Sequence, residues 1–174
     1  MEKLIIAIAG KDGSGKSTLA GELAPFFGNC SLMAFATELR ERCISDGHLT
    51  REKAYAKPTT IGTRRILRLR SQAYKNRYGH DLWANSLINR IPRGIPSVII
   101  HDMRYRHELE LLLKTNHNVV VLFVGDANLT EEQKQDPSFA DLPYIYEEAD
   151  ILLPSNTSKY IRLKNLLSEI KSIG

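Results

Sequence analysis

Apolar positions along the chain fall into short runs separated by stretches with helical spacing. Residues 4–9, "LIIAIA", are wholly apolar and stop at Gly10, which predicts a short strand buried on both faces. Residues 16–27 predict a helix and residues 31–35 a short second strand. Helices are predicted over 36–46 and about 60–76, where Ile61, Leu67, Leu69 and Ala73 alternate with arginines. Another covers 82–91 until Pro92, and Arg93-Gly94-Ile95-Pro96 reads as a turn. A strand over 98–101 and a helix over about 108–115 follow. Asn118–Val124, "NVVVLFV", again reads as a strand buried on both faces. Ile151–Leu153 is a last short strand before a helix over Lys159–Ile173. No repeat, low-complexity tract or linker interrupts the series. Alternating strands and helices with fully apolar strands predict an α/β fold, one domain over 1–174 with a five-stranded parallel sheet flanked by helices. Ligands on such sheets bind at the carboxyl ends of the strands. The residues following Ala9, His101 and Val124 are therefore the first to inspect.

Bulk properties narrow the picture further. A chain of 174 residues is long enough to bury a core without disulfide or metal staples. Cys30 and Cys43, in no metal-like spacing, read as reduced thiols. No apolar run approaches a membrane span, and no signal-peptide pattern follows Met1-Glu2-Lys3; a cytoplasmic protein without membrane contact is expected. The net charge of +4 is mild, but its distribution is uneven. Nine lysines and arginines lie between Arg51 and His80 against one acid, Glu52, whereas between Asp126 and Asp150 Lys134 stands alone among carboxylates. A basic run of this kind is either a solvated helix face or a surface that holds phosphates.

The residues after the first strand carry the chemistry. Gly10-Lys11-Asp12-Gly13-Ser14-Gly15-Lys16-Ser17 fits G-x-x-x-x-G-K-[ST] and sits between a strand and a helix, where its mechanism requires it. Glycines let the backbone turn with positive φ and approach closely, so that successive N–H groups face one anion. The helix that starts near Lys16 adds unpaired N–H groups and the positive end of its dipole. The pattern predicts a triphosphate site built by Gly10, Asp12, Gly13, Ser14, Gly15, Lys16, Ser17 and Thr18, with Lys16 on the β- and γ-phosphates and Ser17 ligating Mg²⁺. "SVIIHDMR" brings Asp102 to the end of another apolar strand, as a second Mg²⁺ ligand or as a turn cap. Arg104, two residues on, is either a phosphoryl contact or a surface arginine.

Three further stretches carry a resemblance. "FATELR" (35–40), "KPTTIGTRRILR" followed by "YGHDLWANSL", and "HDMRYRHELELL" are similar to segments of the phage-type deoxynucleoside monophosphate kinases, within the P-loop nucleoside monophosphate kinases. "DGSGKST" inside the loop is closer to thymidylate kinases. The resemblance implies transfer of the γ-phosphoryl of ATP to a (deoxy)nucleoside 5′-monophosphate with Mg²⁺, catalysed by Lys16, Asp102 and Arg104. It places the acceptor against Phe35, Arg40, Arg65, Arg68, Asp81 and Trp83, in a helical region of about 50–92. Arg65 and Arg68, one turn apart, would hold its phosphate. Trp83 would stack on its base unless it is core, and Asp81 would bond a base edge or sugar unless it caps the next helix. Asn156, in "ADILLPSNTS", is similar to a segment that contacts the ATP base, unless Pro-Ser-Asn-Thr-Ser is an ordinary turn.

Two departures stand out. The lid-like region of about 125–147 has no arginine and is acidic, so either the transferring arginines come from the basic segment and Arg104 or turnover is weak. A glycine expected between Arg65 and Tyr74 is missing. Three other readings use the same loop: a thymidylate kinase-like enzyme, another small-molecule P-loop kinase, and a slow nucleotide switch whose basic helix binds nucleic acid. The kinase readings leave nucleic acid an unexpected partner. A homodimer is compatible with all of them.

Overall fold

The apolar runs become the sheet. In the computed structural model, which describes residues 2–154 and 159–173 (without the side chains of Ser138 and 159–164), five strands lie parallel in one sheet. They are β1 (Leu4–Gly10), β2 (Cys30–Met33), β3 (Ser97–Met103), β4 (Asn118–Val124) and β5 (Ile151–Leu153), in the order β2-β3-β1-β4-β5. Every residue of β1 from Ile5 onward is buried, as are Val120 to Val124 of β4. Burial on both faces is why these strands lack polar alternation. The helices are α1 (Lys16–Leu23), α2 (Phe35–Ser45), α3 (Arg51–Tyr55), α4 (Ile61–Tyr78), α5 (Leu82–Asn89), α6 (Arg106–Leu113), α7 (Glu131–Gln135), α8 (Leu142–Glu147) and α9 (Lys159–Ile173).

The chain divides into two compact units, one of Met1–Met33 with Ile91–Gly174 and one of Ala34–Arg90. The first holds the whole sheet. Ile6, Ile8, Ile99, Leu122 and Val124 pack with Leu19 and Leu23 of α1 and Leu166 and Ile170 of α9. Each such side chain contributes roughly 1.5–3 kcal/mol when fully buried. Beside β4, Phe123 meets Tyr146 of α8 edge to face at 5.1 Å.

Register places the chemistry. Successive strands fill positions on either side of β1, so its carboxyl end lies where the winding of the sheet reverses. Gly10 pairs with Val124, and the chain leaving β1 therefore emerges beside the chain leaving β4. On the other side Ala7 pairs with Ile100 but Ala9 with Met103, so β3 carries one extra residue across His101 and Asp102. Bulges of this kind re-aim side chains.

The second unit is built from α2 to α5 around Cys43, Leu49, Ala54, Tyr74 and Trp83. Thr60 caps α4 by accepting from the Thr63 N–H at 3.2 Å, and Gly79 ends it at a φ of 99°.

Several boundaries differ from the sequence expectation. The strand expected over 31–35 stops at Met33, because Phe35 already opens α2 behind an extended Ala34 whose carbonyl accepts from Thr37 N–H. The helix expected to Phe27 tightens to 3-10 geometry over Ala24–Phe27, where Pro25 removes a donor and Gly28 turns the chain at positive φ. The segments 51–55, 131–135 and 142–147, assigned no element from the sequence, are helices of five to six residues.

Candidate active site

The loop between β1 and α1 is shaped by three glycines at positive φ, 136° at Gly10, 76° at Gly13 and 94° at Gly15. At Gly10 a Cβ atom would lie 2.4 Å from the Val124 carbonyl oxygen, so only glycine lets β1 stay against β4 there. Gly15 precedes α1 in the left-handed conformation, and no side chain caps the helix. The first-turn N–H groups of α1, with no acidic residue among them, are thus available to an anion. Ser14 Oγ is buried and has no hydrogen-bond partner among the described residues.

Lys16 lies at the mouth of this helix and is only 8% exposed. Its ammonium donates to the Gly10 carbonyl at 2.8 Å and to that of Lys11. Burial lowers its pKa from 10.5 to about 8, the Arg104 guanidinium adds to the effect, and Asp12 and Asp102 partly oppose it. Asp12, Asp102 and Arg104 thus all act electrostatically on one ammonium. Arg104 is ion-paired with Asp12. Its turn is fixed by Glu108, whose carboxylate accepts from the N–H groups of Arg104 at 2.9 Å and Tyr105 at 3.1 Å. Glu108 is buried, and its work is that of a helix cap.

Ser17, expected as a metal ligand, is exposed at the second position of α1, with its hydroxyl 3.3 Å from His101 Nδ1. Thr18 follows it, exposed. Asp102 is half-buried on the bulged end of β3. A hydroxyl and a carboxylate are hard oxygen donors suited to Mg²⁺. No group of three or more His, Cys, Asp or Glu able to hold a metal exists among the described residues. This donor set fits a cation that shares its coordination with substrate phosphates.

Sequence reasoning passed over two residues here. Lys11 reaches from the loop to the chain beyond β4, with its Nζ 2.9 Å from Asp126 Oδ1 and also bonded to the Asn128 carbonyl. His101, in the bulged stretch of β3, faces Ser17. Neither contact has a local signal, since each depends on strand register.

The expected acceptor residues lie in the second unit. Phe35 is buried at the start of α2. Arg40 has its guanidinium over the Tyr55 ring at 5.5 Å, and its buried Nε has no hydrogen-bond partner among the described residues. Other arginines of this unit do have carboxylates: Arg42 with Asp46, Arg51 with Glu41, and Arg90 with Glu38. Arg65 and Arg68 are exposed on one face of α4 and form no ion pair among the described residues. Asp81 is exposed in the capping position of α5 yet makes no cap hydrogen bond. Trp83 is 8% exposed, meets Tyr74 edge to face at 5.6 Å, and donates from Nε1 to Ser71 Oγ at 3.1 Å. It also walls a cleft of about 340 Å³ with Glu38, Glu41, Tyr74 and Tyr78. Trp83 thus belongs to the core of this unit and also lines the cleft. Asn156 lies outside the described residues. No helix among the described residues is long and apolar enough to cross a membrane.

Neither a protein-family model nor a curated protein matches the sequence. Solved structures do match the fold. A shikimate kinase from Acinetobacter baumannii in complex with shikimate aligns with a TM-score of 0.54 at 16% identity, covering 99% of this chain and 94% of that one. TT1252 from Thermus thermophilus aligns at 0.61 and 18% identity, covering 99% and 98%. A dephospho-CoA kinase from Campylobacter jejuni aligns at 0.56 and 14% identity, also covering 99% and 98%. At these identities the likeness establishes the fold alone: an α/β domain with a five-stranded parallel sheet flanked by helices.

Proposed function

We propose that the protein transfers the γ-phosphoryl group of Mg-ATP to the phosphate of a (deoxy)nucleoside 5′-monophosphate. The donor half of this reading rests on the loop. An uncapped helix N-terminus, backbone turns open to an anion and a buried ammonium converge at the carboxyl end of β1. The likeness in fold to solved kinases supports phosphoryl transfer as the chemistry.

One observation carries the acceptor half: among the described residues the buried Nε of Arg40 has no acceptor, in a unit where Arg42, Arg51 and Arg90 each have one. A buried donor left unbonded is costly, and a phosphate oxygen would satisfy it. Arg65 and Arg68, exposed and without an ion pair among the described residues, supply further cations for the same anion.

A monophosphate is already a nucleophile, so the protein needs no strong base. Its task is to bind, align and neutralise. Lys16 holds the β- and γ-phosphates, and Arg104, released from Asp12, stabilises the group in flight. Ser17 and Asp102 would hold Mg²⁺, which when bound shields the phosphate oxygens and orients the triphosphate.

A second reading, another small-molecule kinase, is favoured by the fold shared with enzymes for shikimate and dephospho-CoA. One assay separates them: ADP release from Mg-ATP with each common NMP and dNMP, and with shikimate and dephospho-CoA. We expect ADP release to depend on a monophosphate. Turnover with one of the other two acceptors alone would overturn the nucleotide assignment and leave the loop assignment standing.

A further inference from the structure

The segment after β4 has the wrong charge for a neighbour of a triphosphate. Residues 125–147 carry six carboxylates against one lysine. That lysine, Lys134, is paired with Glu131 at 2.6 Å on the surface of α7. Phosphoryl transfer spreads negative charge over several oxygens and needs cations near them.

The sheet register brings another cation to this place. Because Gly10 pairs with Val124, Lys11 and Asp126 lie one and two residues beyond paired positions on adjacent strands. The Lys11 ammonium bonds Asp126 Oδ1 at 2.9 Å and the Asn128 carbonyl, while the Asn128 N–H donates to the same Oδ1 at 2.9 Å. Lys11 and the bound Asn128 N–H hold the Asp126 carboxyl below its usual range. The backbone of Lys11 belongs to the phosphate loop, since its carbonyl accepts from Lys16. A pair open to water, with the carboxylate side 57% exposed, is weakly held. A polyphosphate carries more charge than one carboxylate.

We propose that Lys11 is a second phosphate-binding lysine of the loop, held by Asp126 in the nucleotide-free protein and passed to an oxygen of the bound nucleoside triphosphate. It thereby supplies the positive charge that residues 125–147 do not. The inference rests on the loop being the triphosphate site. Asp126 is then a positioning residue that competes with the ligand for the ammonium.

A plain tether between the loop and β4 would respond alike to loss of either partner. An exchanged cation responds with opposite signs. The test titrates ATP, with EDTA and again with Mg²⁺, into the wild type and into Lys11→Met, Lys11→Arg, Asp126→Asn and the double variant Lys11→Met/Asp126→Asn. Lys11→Met is expected to weaken ATP about tenfold, the scale of one charge-assisted hydrogen bond, with Lys11→Arg near the wild type. Asp126→Asn is expected to tighten it about threefold, the scale of an exposed ion pair. In the Lys11→Met background that gain disappears; simple removal of a repelling carboxylate would leave it intact.

Single variants that shift affinity in the same direction, or a gain that survives without Lys11, would overturn the proposal. Asp126 is exposed and Lys11 half-buried, and neither belongs to the core, so the unfolding temperatures of all variants without ATP should stay close together. Should Lys11→Met unfold, Lys11→Arg and Asp126→Asn still decide the question: equal weakening in both means a tether. Failure of ATP to bind the wild type at all would instead remove the loop assignment, and Lys11 with it.

Discussion

Above pH 8 the affinity of the protein for ATP should fall, and Lys16 is the group responsible. Its ammonium is buried among loop carbonyls, with a pKa lowered from 10.5 to about 8 chiefly by that burial. A shift of this size corresponds to about 3 kcal/mol between the charged and neutral forms. A triphosphate favours the charged form and draws the value back up, so binding above pH 8 requires uptake of a proton. If the bound value returns to 10.5, affinity falls by about twentyfold between pH 7.5 and 9.5. ATP is predominantly fully ionised across that range, and further ionisation on raising the pH would strengthen rather than weaken its attraction to a cation. Stability without ligand moves the other way. Between about 8 and 10.5 the unfolded lysine keeps a proton that the folded one has lost, so stability rises with pH across that window. The assay is calorimetric titration of ATP in EDTA at three pH values, alongside denaturant unfolding at the same values, for the wild type and Lys16→Met. Opposite slopes in the wild type, both flattened by Lys16→Met, are expected. A wild-type affinity constant over this range, or an equal slope in Lys16→Met, would refute the reasoning.

The remaining predictions concern other parts of the site. Gly10→Ala should destabilise the first unit by about 3 kcal/mol or more, since it adds a positive-φ penalty to a 2.4 Å approach to the Val124 carbonyl; denaturant unfolding checks this. Arg40→Ala should raise the KM for the monophosphate at least tenfold with little change in that for ATP. Arg42→Ala, which loses an exposed pair with Asp46 and contacts with the Tyr74 and Tyr78 rings but involves no buried donor, should change the ratio of the two KM values little; equal effects of the two would remove the acceptor role of Arg40. Asp102→Asn should move the Mg²⁺ titration of ADP release to higher concentration, and an unchanged titration curve would argue against a metal role.

What the sequence revealed, and what it hid, follows from the range of the interactions. β1 and β4 were legible because burial on both faces leaves an unbroken apolar run of seven residues or fewer. The phosphate loop was legible because its glycines and lysine act within eight consecutive positions. α7 was not assigned, although Thr130 and Gln133 form a capping box, because five residues are too few to show a helical period. Lys11 with Asp126 was hidden for a different reason. The two are far apart in sequence and meet only through the Gly10–Val124 register. The contrast between Arg40 and Arg42 is similar: they lie on one helix two residues apart, and only the fold shows which one lacks an acceptor. The buried Glu38 belongs to the same class, since its partners Ser86 and Arg90 come from beyond α4.

The central claim is that residues 10–18 close around a polyphosphate. Thermal unfolding of the purified protein with and without Mg-ATP tests it most directly. Ligand at a hundred times its dissociation constant adds about 2.7 kcal/mol, which for a chain of this size raises Tm by roughly 5–10 °C. The account predicts that rise in the wild type and its loss in Lys16→Met; a wild-type Tm unmoved by millimolar Mg-ATP would contradict it.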